Sequence, residues 1–307
     1  MPIEGPLLDV KLSVDYPNKP NALRDVSFSL QPGETLGLVG ESGSGKSTIA
    51  LALLGLLGCK GGRASGHIVF AGQDLLTRGE KDLRRLRGSQ IGLVLQSPLA
   101  SLNPVLRVGT QLAEAWRAHA HGSHDALDEA VRHALMRVGL PVEEEFRRRL
   151  PSQVSVGQAQ RVLIAMAIMH SPRLLIADEP TSALDAVTQV EILSLLANLN
   201  QQFGAAMLYI SHDLQSVVSL CQRVAILQAG SIVEQGPTGA VLSAPRHPYT
   251  RLLVSCAPWL PAWMEQLGAG KRCRGPQPDS AALPGHAPAS PVPEYRGLKS
   301  PCQWPMG

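Results

Sequence analysis

Gly40-Glu41-Ser42-Gly43-Ser44-Gly45-Lys46-Ser47 decides how this chain is read. Two glycines bracket a four-residue loop, and Lys-Ser follows the second at once. The run before it, Thr35–Val39, is short and apolar, as a buried strand requires. The run after it, residues 46–57, carries a helical pattern of apolar side chains. A strand enters and a helix leaves, so the loop forms an anion cradle. Its glycines let the backbone turn N–H groups inward around phosphate oxygens. The helix adds the positive end of its dipole. Lys46 has the reach to neutralise β- and γ-phosphates, and Ser47 offers a hydroxyl to Mg2+. A glycine cluster by itself would fit a tight turn. Lys-Ser at this spacing points instead to a nucleoside triphosphate.

The pattern on either side is that of an α/β protein. Upstream, residues 7–14 and 22–30 read as short strands, closed by the turn Gln31-Pro32-Gly33. Downstream, residues 68–70 and 91–95 read as strands. From 97 to 171 the character changes to helix, at 111–120, 125–138 and 158–170. That block reads as a helical subdomain inserted into the α/β domain. Strands return at 174–177 and 206–210, with helices at 189–203 and 211–221. Arg223–Gln228 and residues 231–234 form a hairpin around Ala229-Gly230. Strands alternating with helices predict a mainly parallel sheet covered on both faces.

Leu174-Leu175-Ile176-Ala177-Asp178-Glu179 is an apolar strand ending in two carboxylates. Strand ends in open α/β sheets face the ligand crevice. There Asp178 would hold Mg2+ and Glu179 would polarise an attacking water as general base. Two acids at a strand end fit a solvated turn equally well, and the phosphate loop upstream decides between them. His212 also follows an apolar strand and would sense the γ-phosphate. A lone histidine is usually structural, so His212 counts as one of the set.

Composition bounds the rest. The 307 residues are 44% hydrophobic, enough for a substantial core, and only 17% charged. The net charge of +3 arises from Lys271 onward, and no basic stripe predicts a nucleic-acid partner. No secretory signal opens the chain. The most apolar runs, 49–57 and 162–169, fall well short of the roughly 18 residues that span a bilayer. Membrane association is therefore expected through partner proteins. Cys59, Cys221, Cys256, Cys273 and Cys302 are odd in number and scattered, which points to reduced thiols in a cytosolic protein. Cys256 is expected at a buried helix end. Residues 268–307 are rich in Pro, Gly and Ala and should not order by themselves.

Between the loop and the acidic strand lies Val154-Ser155-Val156-Gly157-Gln158-Ala159-Gln160-Arg161. It resembles the signature of ABC ATPases, usually Leu-Ser-Gly-Gly-Gln. Gln96 resembles their Q-loop glutamine, Ser182-Ala183-Leu184-Asp185 their D-loop, and His212 their switch histidine. Tyr16 sits where that family places an aromatic on adenine. The likeness runs over about residues 7–250. It implies a P-loop NTPase (RecA-like) core with an inserted helical subdomain and an antiparallel N-terminal β-subdomain. The domain plan it implies is an ABC ATPase domain over 1–250, with the helical part at about 97–171. A partly disordered extension would cover 251–307. Residues 96–106, the run from Asp178 to Asp185, and His247-Pro248-Tyr249-Thr250 resemble the oligopeptide, dipeptide and nickel uptake subfamily. That likeness implies an importer with two ATPase subunits, commonly different proteins, two membrane permeases and a solute-binding protein. The chain would then sit on the cytoplasmic face of the inner membrane. Nothing in it distinguishes peptide from nickel.

Carried onto these residues, the resemblance assigns ATP to Tyr16, Gly40, Glu41, Ser42, Gly43, Ser44, Gly45, Lys46, Ser47 and Thr48. Ser47, Gln96 and Asp178 would surround Mg2+, and Glu179, His212, Lys46 and Gln96 would act in hydrolysis. Ser155, Gly157 and Gln158 would touch the nucleotide of a partner ATPase. Two features depart from the family. Val156 stands where the signature has glycine, so the site completed on the partner could be weakened, making the pair asymmetric. The tail lacks the close-set cysteines that accompany an iron–sulfur centre in several relatives. Two other readings stay open: an ATP-binding partner subunit with partly degenerate composite sites, and a non-transport ABC ATPase. The latter usually shows a coiled-coil insertion or a second cassette, and neither is present.

Overall fold

The computed structural model describes residues 5–257. Its strands are β1 (Leu8–Tyr16), β2 (Lys19–Leu30), β3 (Thr35–Val39), β4 (Arg63–Phe70), β5 (Gln73–Asp74), β6 (Ile91–Val94), β7 (Leu174–Asp178), β8 (Ala206–Ser211), β9 (Arg223–Gln228) and β10 (Ser231–Pro237). They form an antiparallel sheet in the order β2-β1-β4-β5 and a second sheet in the order β10-β9-β3-β8-β7-β6. In the second, β9, β3, β8, β7 and β6 are parallel, and β10 closes one edge antiparallel to β9.

The central strands are apolar on both faces through their middles, with polar residues only at their ends, because both faces are covered. Leu36, Leu38, Leu174, Ile176, Leu208, Ile210, Ala225 and Leu227 face one core, which they share with the antiparallel sheet and helix Lys46–Leu53. Their neighbours Val39, Leu175, Ala177, Met207, Tyr209, Val224 and Ile226 face the other core. That second core is completed by helices Val156–Ile168, Ala186–Phe203 and Leu214–Leu220 and by the helical block between β6 and β7. The alternation is the pleat of a strand, expressed with apolar residues on both sides. The block holds Pro98–Ser101, Val108–Arg117, His124–Arg137 and Glu144–Arg147 ahead of Val156–Ile168.

Several boundaries differ from the sequence reading. The helix after the phosphate loop stops at Leu53 rather than at residue 57. Gly55 turns left-handed, and the Gly55 and Leu56 N–H groups return to Ala52 and Leu51 carbonyls at 2.9 and 2.8 Å, a Schellman cap. β4 begins at Arg63, five residues earlier than its apolar end shows, because main-chain pairing to β1 holds its polar half. The helix expected at 211–221 is Leu214–Leu220, since Ser211 still belongs to β8 and Asp213 caps the helix by accepting Gln215 and Ser216 N–H groups. Cys256, expected to be buried, is exposed at the end of helix Pro248–Ser255. Trp259, Trp263, Cys273, Cys302, Trp304 and the extension from 258 onward lie outside the described residues. No described helix is long and apolar enough to cross a membrane.

Candidate functional site

Parallel pairing puts the C-terminal ends of β3, β8, β7 and β6 side by side on one edge of the sheet. Each strand delivers one part of the site there: the phosphate loop after β3, His212 after β8, Asp178 and Glu179 at the end of β7, and Gln96 just beyond β6. Residues separated by more than a hundred positions in sequence meet because this topology aligns their strand ends.

The phosphate loop is tightly set. A Cβ at Gly40 would lie 2.2 Å from the Leu227 carbonyl oxygen, so only glycine fits. Gly45, at φ 113°, caps the helix that Lys46 begins. Lys46 is 6% exposed, and its Nζ donates to the Gly40 and Glu41 carbonyls at 2.7 and 2.9 Å. The same Nζ lies 3.9 Å from Glu179 Oε1. Burial lowers the Lys46 pKa, and the charges of Glu179 and Asp178 oppose that shift. Gly43 O accepts from Lys19 Nζ at 3.2 Å, and Ser44 O accepts from Gly230 N at 3.0 Å. Glu41 N–H donates to the Tyr249 hydroxyl at 3.2 Å.

Glu179 is the hub of the cluster. Its side chain is 16% exposed. Oε2 accepts from Gln96 Nε2 at 3.0 Å, and Oε1 lies 3.2 Å from His212 Nδ1. The residue adopts φ 47°, a left-handed backbone rare for a non-glycine, while its N–H still donates to Ile210 O at 2.9 Å. The β7–β8 ladder therefore runs up to the carboxylate and then turns. Burial raises the Asp178 pKa; a hydrogen bond from the Ser47 side chain opposes the rise, and Glu179 adds to it.

Lys46, Ser47, Gln96, Asp178, Glu179 and His212 are thus brought together as the sequence predicted. Among the described residues the signature Ser155 and Gln158 bond to each other rather than to this cluster. Ser155 caps helix Val156–Ile168, with Oγ accepting Gln158 N–H and Gln158 Oε1 accepting Ser155 N–H, both at 3.1 Å. That is a reciprocal capping box, and it occupies the Gln158 side chain. Val156 is the first helical residue, 37% exposed and absent from the positive-φ set, so this backbone does not require glycine there. Gly157 is required by packing: a Cβ would lie 2.6 Å from Thr188 Cγ2. Tyr16 ends β1, half-buried, with Gly62 against its ring. Its strand partner is Lys19, which reaches the phosphate loop. Sequence reading missed the loop's other holders, Lys19, Gly230 and Tyr249. Tyr249 carried a signal only as part of a segment resembling a subfamily, and Gly230 only as a hairpin turn.

The ABC transporter family profile matches residues 23–182, and the profile of the C-terminal region of oligopeptide/dipeptide transporters matches residues 233–285. The oligopeptide transport ATP-binding protein OppD of Bacillus subtilis is 41% identical over 83% of this chain and 72% of its own length. Among solved structures, CbiO1 of Clostridium perfringens, part of an ABC transporter complex, superposes with a TM-score of 0.69 at 26% identity, covering 86% of this chain and all of that one. The ATP-binding cassette MJ0796, in a dimeric post-hydrolysis state with ADP and Pi, gives 0.64 at 27% identity over 75% of this chain and 98% of that one. The chain belongs to the ABC transporter family, as one of its ATP-hydrolysing subunits.

Proposed function

We propose that this chain energises import of peptides, working as one half of an ATPase dimer with two permeases on the cytoplasmic face of the inner membrane. The observation that carries the ATPase part is the convergence of Gln96, His212 and Lys46 on the single carboxylate of Glu179. Peptide, rather than nickel, is favoured by the name of the relative above and by the match over residues 233–285. The permeases are expected to engage the helical block, which begins just after Gln96.

In this reading Lys46 and the loop N–H groups hold the β- and γ-phosphates of ATP. The residues at the loop also fit Mg2+. Ser47 hydroxyl, Asp178 carboxylate and the Gln96 amide are the hard oxygen donors this ion takes. The ion would supply charge neutralisation of the phosphates. Glu179 polarises the attacking water, Gln96 and His212 orient the Glu179 carboxylate, and His212 responds to the γ-phosphate. Tyr16 offers its ring to adenine. Ser155 and Gly157 open a helix whose positive end meets the partner's nucleotide, and Gln158 fixes that end through its cap.

A dimer is supported by the resemblance, which assigns the signature to a partner's nucleotide, and by the dimeric state of the solved cassette named above. The partner is proposed to be a different ATPase, because Val156 projects an exposed branched side chain where the resemblance expects glycine. The test is Mg-ATP hydrolysis by the purified chain, with Glu179→Gln as control, repeated with the candidate partner ATPase. Turnover should be low alone and rise sharply with the partner. Strong turnover alone, cooperative in protein concentration, would establish a homodimer instead. Turnover insensitive to Glu179→Gln would remove the assignment of the base.

A further inference from the structure

His247-Pro248-Tyr249-Thr250 has no part in the chemistry above, yet each residue has a defined place. His247 caps helix Pro248–Ser255, its Nδ1 accepting the Tyr249 N–H at 3.2 Å. Pro248 occupies the first helical position, where a missing N–H costs nothing. Thr250 is fully buried, and Tyr249 is 5% exposed. The approach to the helix is fixed by Glu234 of β10, whose two carboxylate oxygens accept the Arg246 and His247 N–H groups at 2.9 and 3.0 Å. This anchoring delivers the Tyr249 hydroxyl to the phosphate loop, where it accepts the Glu41 N–H.

One peptide unit is thereby gripped at both ends. The peptide joining Gly40 to Glu41 has its oxygen held by Lys46 Nζ at 2.7 Å and its N–H held by Tyr249 at 3.2 Å. The next carbonyl, that of Glu41, accepts both Lys46 Nζ at 2.9 Å and Ser44 N at 3.2 Å. Lys46 cannot keep both carbonyls and also neutralise phosphates with all its donors, since an ammonium has three N–H bonds. When nucleotide draws Lys46 away, the grip on the peptide oxygen is released and the grip on its nitrogen remains.

We propose that Tyr249 is a positioning residue for the phosphate loop, its hydroxyl holding the Gly40-Glu41 peptide in the binding conformation once Lys46 turns from the loop's own carbonyls to the nucleotide. The subfamily segment near the end of the described chain would then act at the other end of the fold's logic, on ATP affinity. The proposal rests on the reading of the loop as an ATP site.

The test is Tyr249→Phe, which keeps the buried ring and removes only the hydroxyl. Two quantities are read on the full chain: the dissociation constant for Mg-ATP and the melting temperature without nucleotide. The hydrogen bond matters most in the bound state, so affinity should weaken about three- to tenfold while nucleotide-free melting stays within about one degree of wild type. Unchanged affinity overturns the proposal, whatever the melting temperature does. So does a loss of nucleotide-free stability that accounts for the whole effect. Should the variant fold poorly, exchange of the Glu41 amide in the wild type is decisive: protection retained on adding Mg-ATP supports the grip, and protection lost refutes it. Lys46→Ala serves as the separate control. If it leaves Mg-ATP binding intact, the ATP-site reading fails, independently of Tyr249.

Discussion

Gln96 and Glu179, 83 residues apart in sequence, are joined by a hydrogen bond from Nε2 to Oε2 at 3.0 Å. Gln96 leaves the sheet where the helical block begins, so the proposed general base is tied directly to the part of the molecule expected to meet the permeases. A displacement of the helical block that carried Gln96 away would leave Glu179 with His212 and Lys46 alone.

Glu179→Gln keeps the size of the side chain and removes the charge. Hydrolysis should fall by at least about 100-fold while Mg-ATP still binds, because the phosphate loop is untouched. Phosphate release and nucleotide binding, measured on one preparation, separate the two effects. A variant that hydrolyses at near wild-type rate would exclude Glu179 as the base.

Gly157 and Thr188 join the signature helix to helix Ala186–Phe203. The Thr188 methyl occupies the space a Cβ at Gly157 would need, and Thr188 Oγ1 donates to Asp185 at 2.7 Å. Gly157→Ala should destabilise the fold by about 1–3 kcal/mol. Thr188→Ser removes the offending methyl and keeps the hydroxyl, so the double variant should recover most of the loss. Thermal melts of both single variants and the double variant measure the coupling; simple additivity would show that the contact is not the cause.

Val156→Gly separates backbone from reach. Val156 is an ordinary first helical residue, so the change should alter stability by no more than about 1 kcal/mol. In the proposed dimer with a second ATPase it should raise hydrolysis at the partner's site. No rise there, with the partner's own base intact, would show that the branched side chain is tolerated.

His119 and His170 meet edge to face, ring centres 5.3 Å apart, in the helical block. Burial, and then the neighbouring His170, lower the His119 pKa, against a raising hydrogen bond to the Arg87 backbone; Arg84 adds a small lowering. The folded chain therefore binds this proton less readily than the unfolded chain does. Stability from this site is complete above the ordinary imidazole value of about 6.5 and is lost as pH falls toward the lower folded value. Between about pH 7 and pH 5, His119→Gln should flatten the decline of the melting temperature. An unchanged slope would assign that decline to other groups.

The parts of this molecule that were legible in its sequence are those that depend on local pattern. The phosphate loop, the apolar strand into Asp178 and the two-residue turn at Ala229-Gly230 all announce themselves within a few residues. Ser155 and Gln158 were visible too, though their spacing encodes a helix cap as much as a ligand contact. Helix Glu80–Leu86 was hidden because it buries only Leu83 and so shows no apolar stripe. The polar half of β4 was hidden because backbone pairing, not burial, holds it. The hydrogen bond from Glu41 to Tyr249 crosses 208 residues, and no spacing rule reaches that far.

The Ala229-Gly230 turn has a practical consequence for anyone who wishes to modify this protein. Two-residue hairpin turns are ordinarily good places to splice in a tag, a loop or a second domain. Here the Gly230 N–H is bonded to Ser44 of the phosphate loop, the Gly230 carbonyl to Arg24 N–H at 2.8 Å, and the Ala229 carbonyl to the Arg24 guanidinium at 3.0 Å. A Cβ at Gly230 would lie 2.6 Å from the Ala22 carbonyl oxygen. Even one added residue would pry the hairpin from the nucleotide loop, so fusions belong elsewhere on the surface.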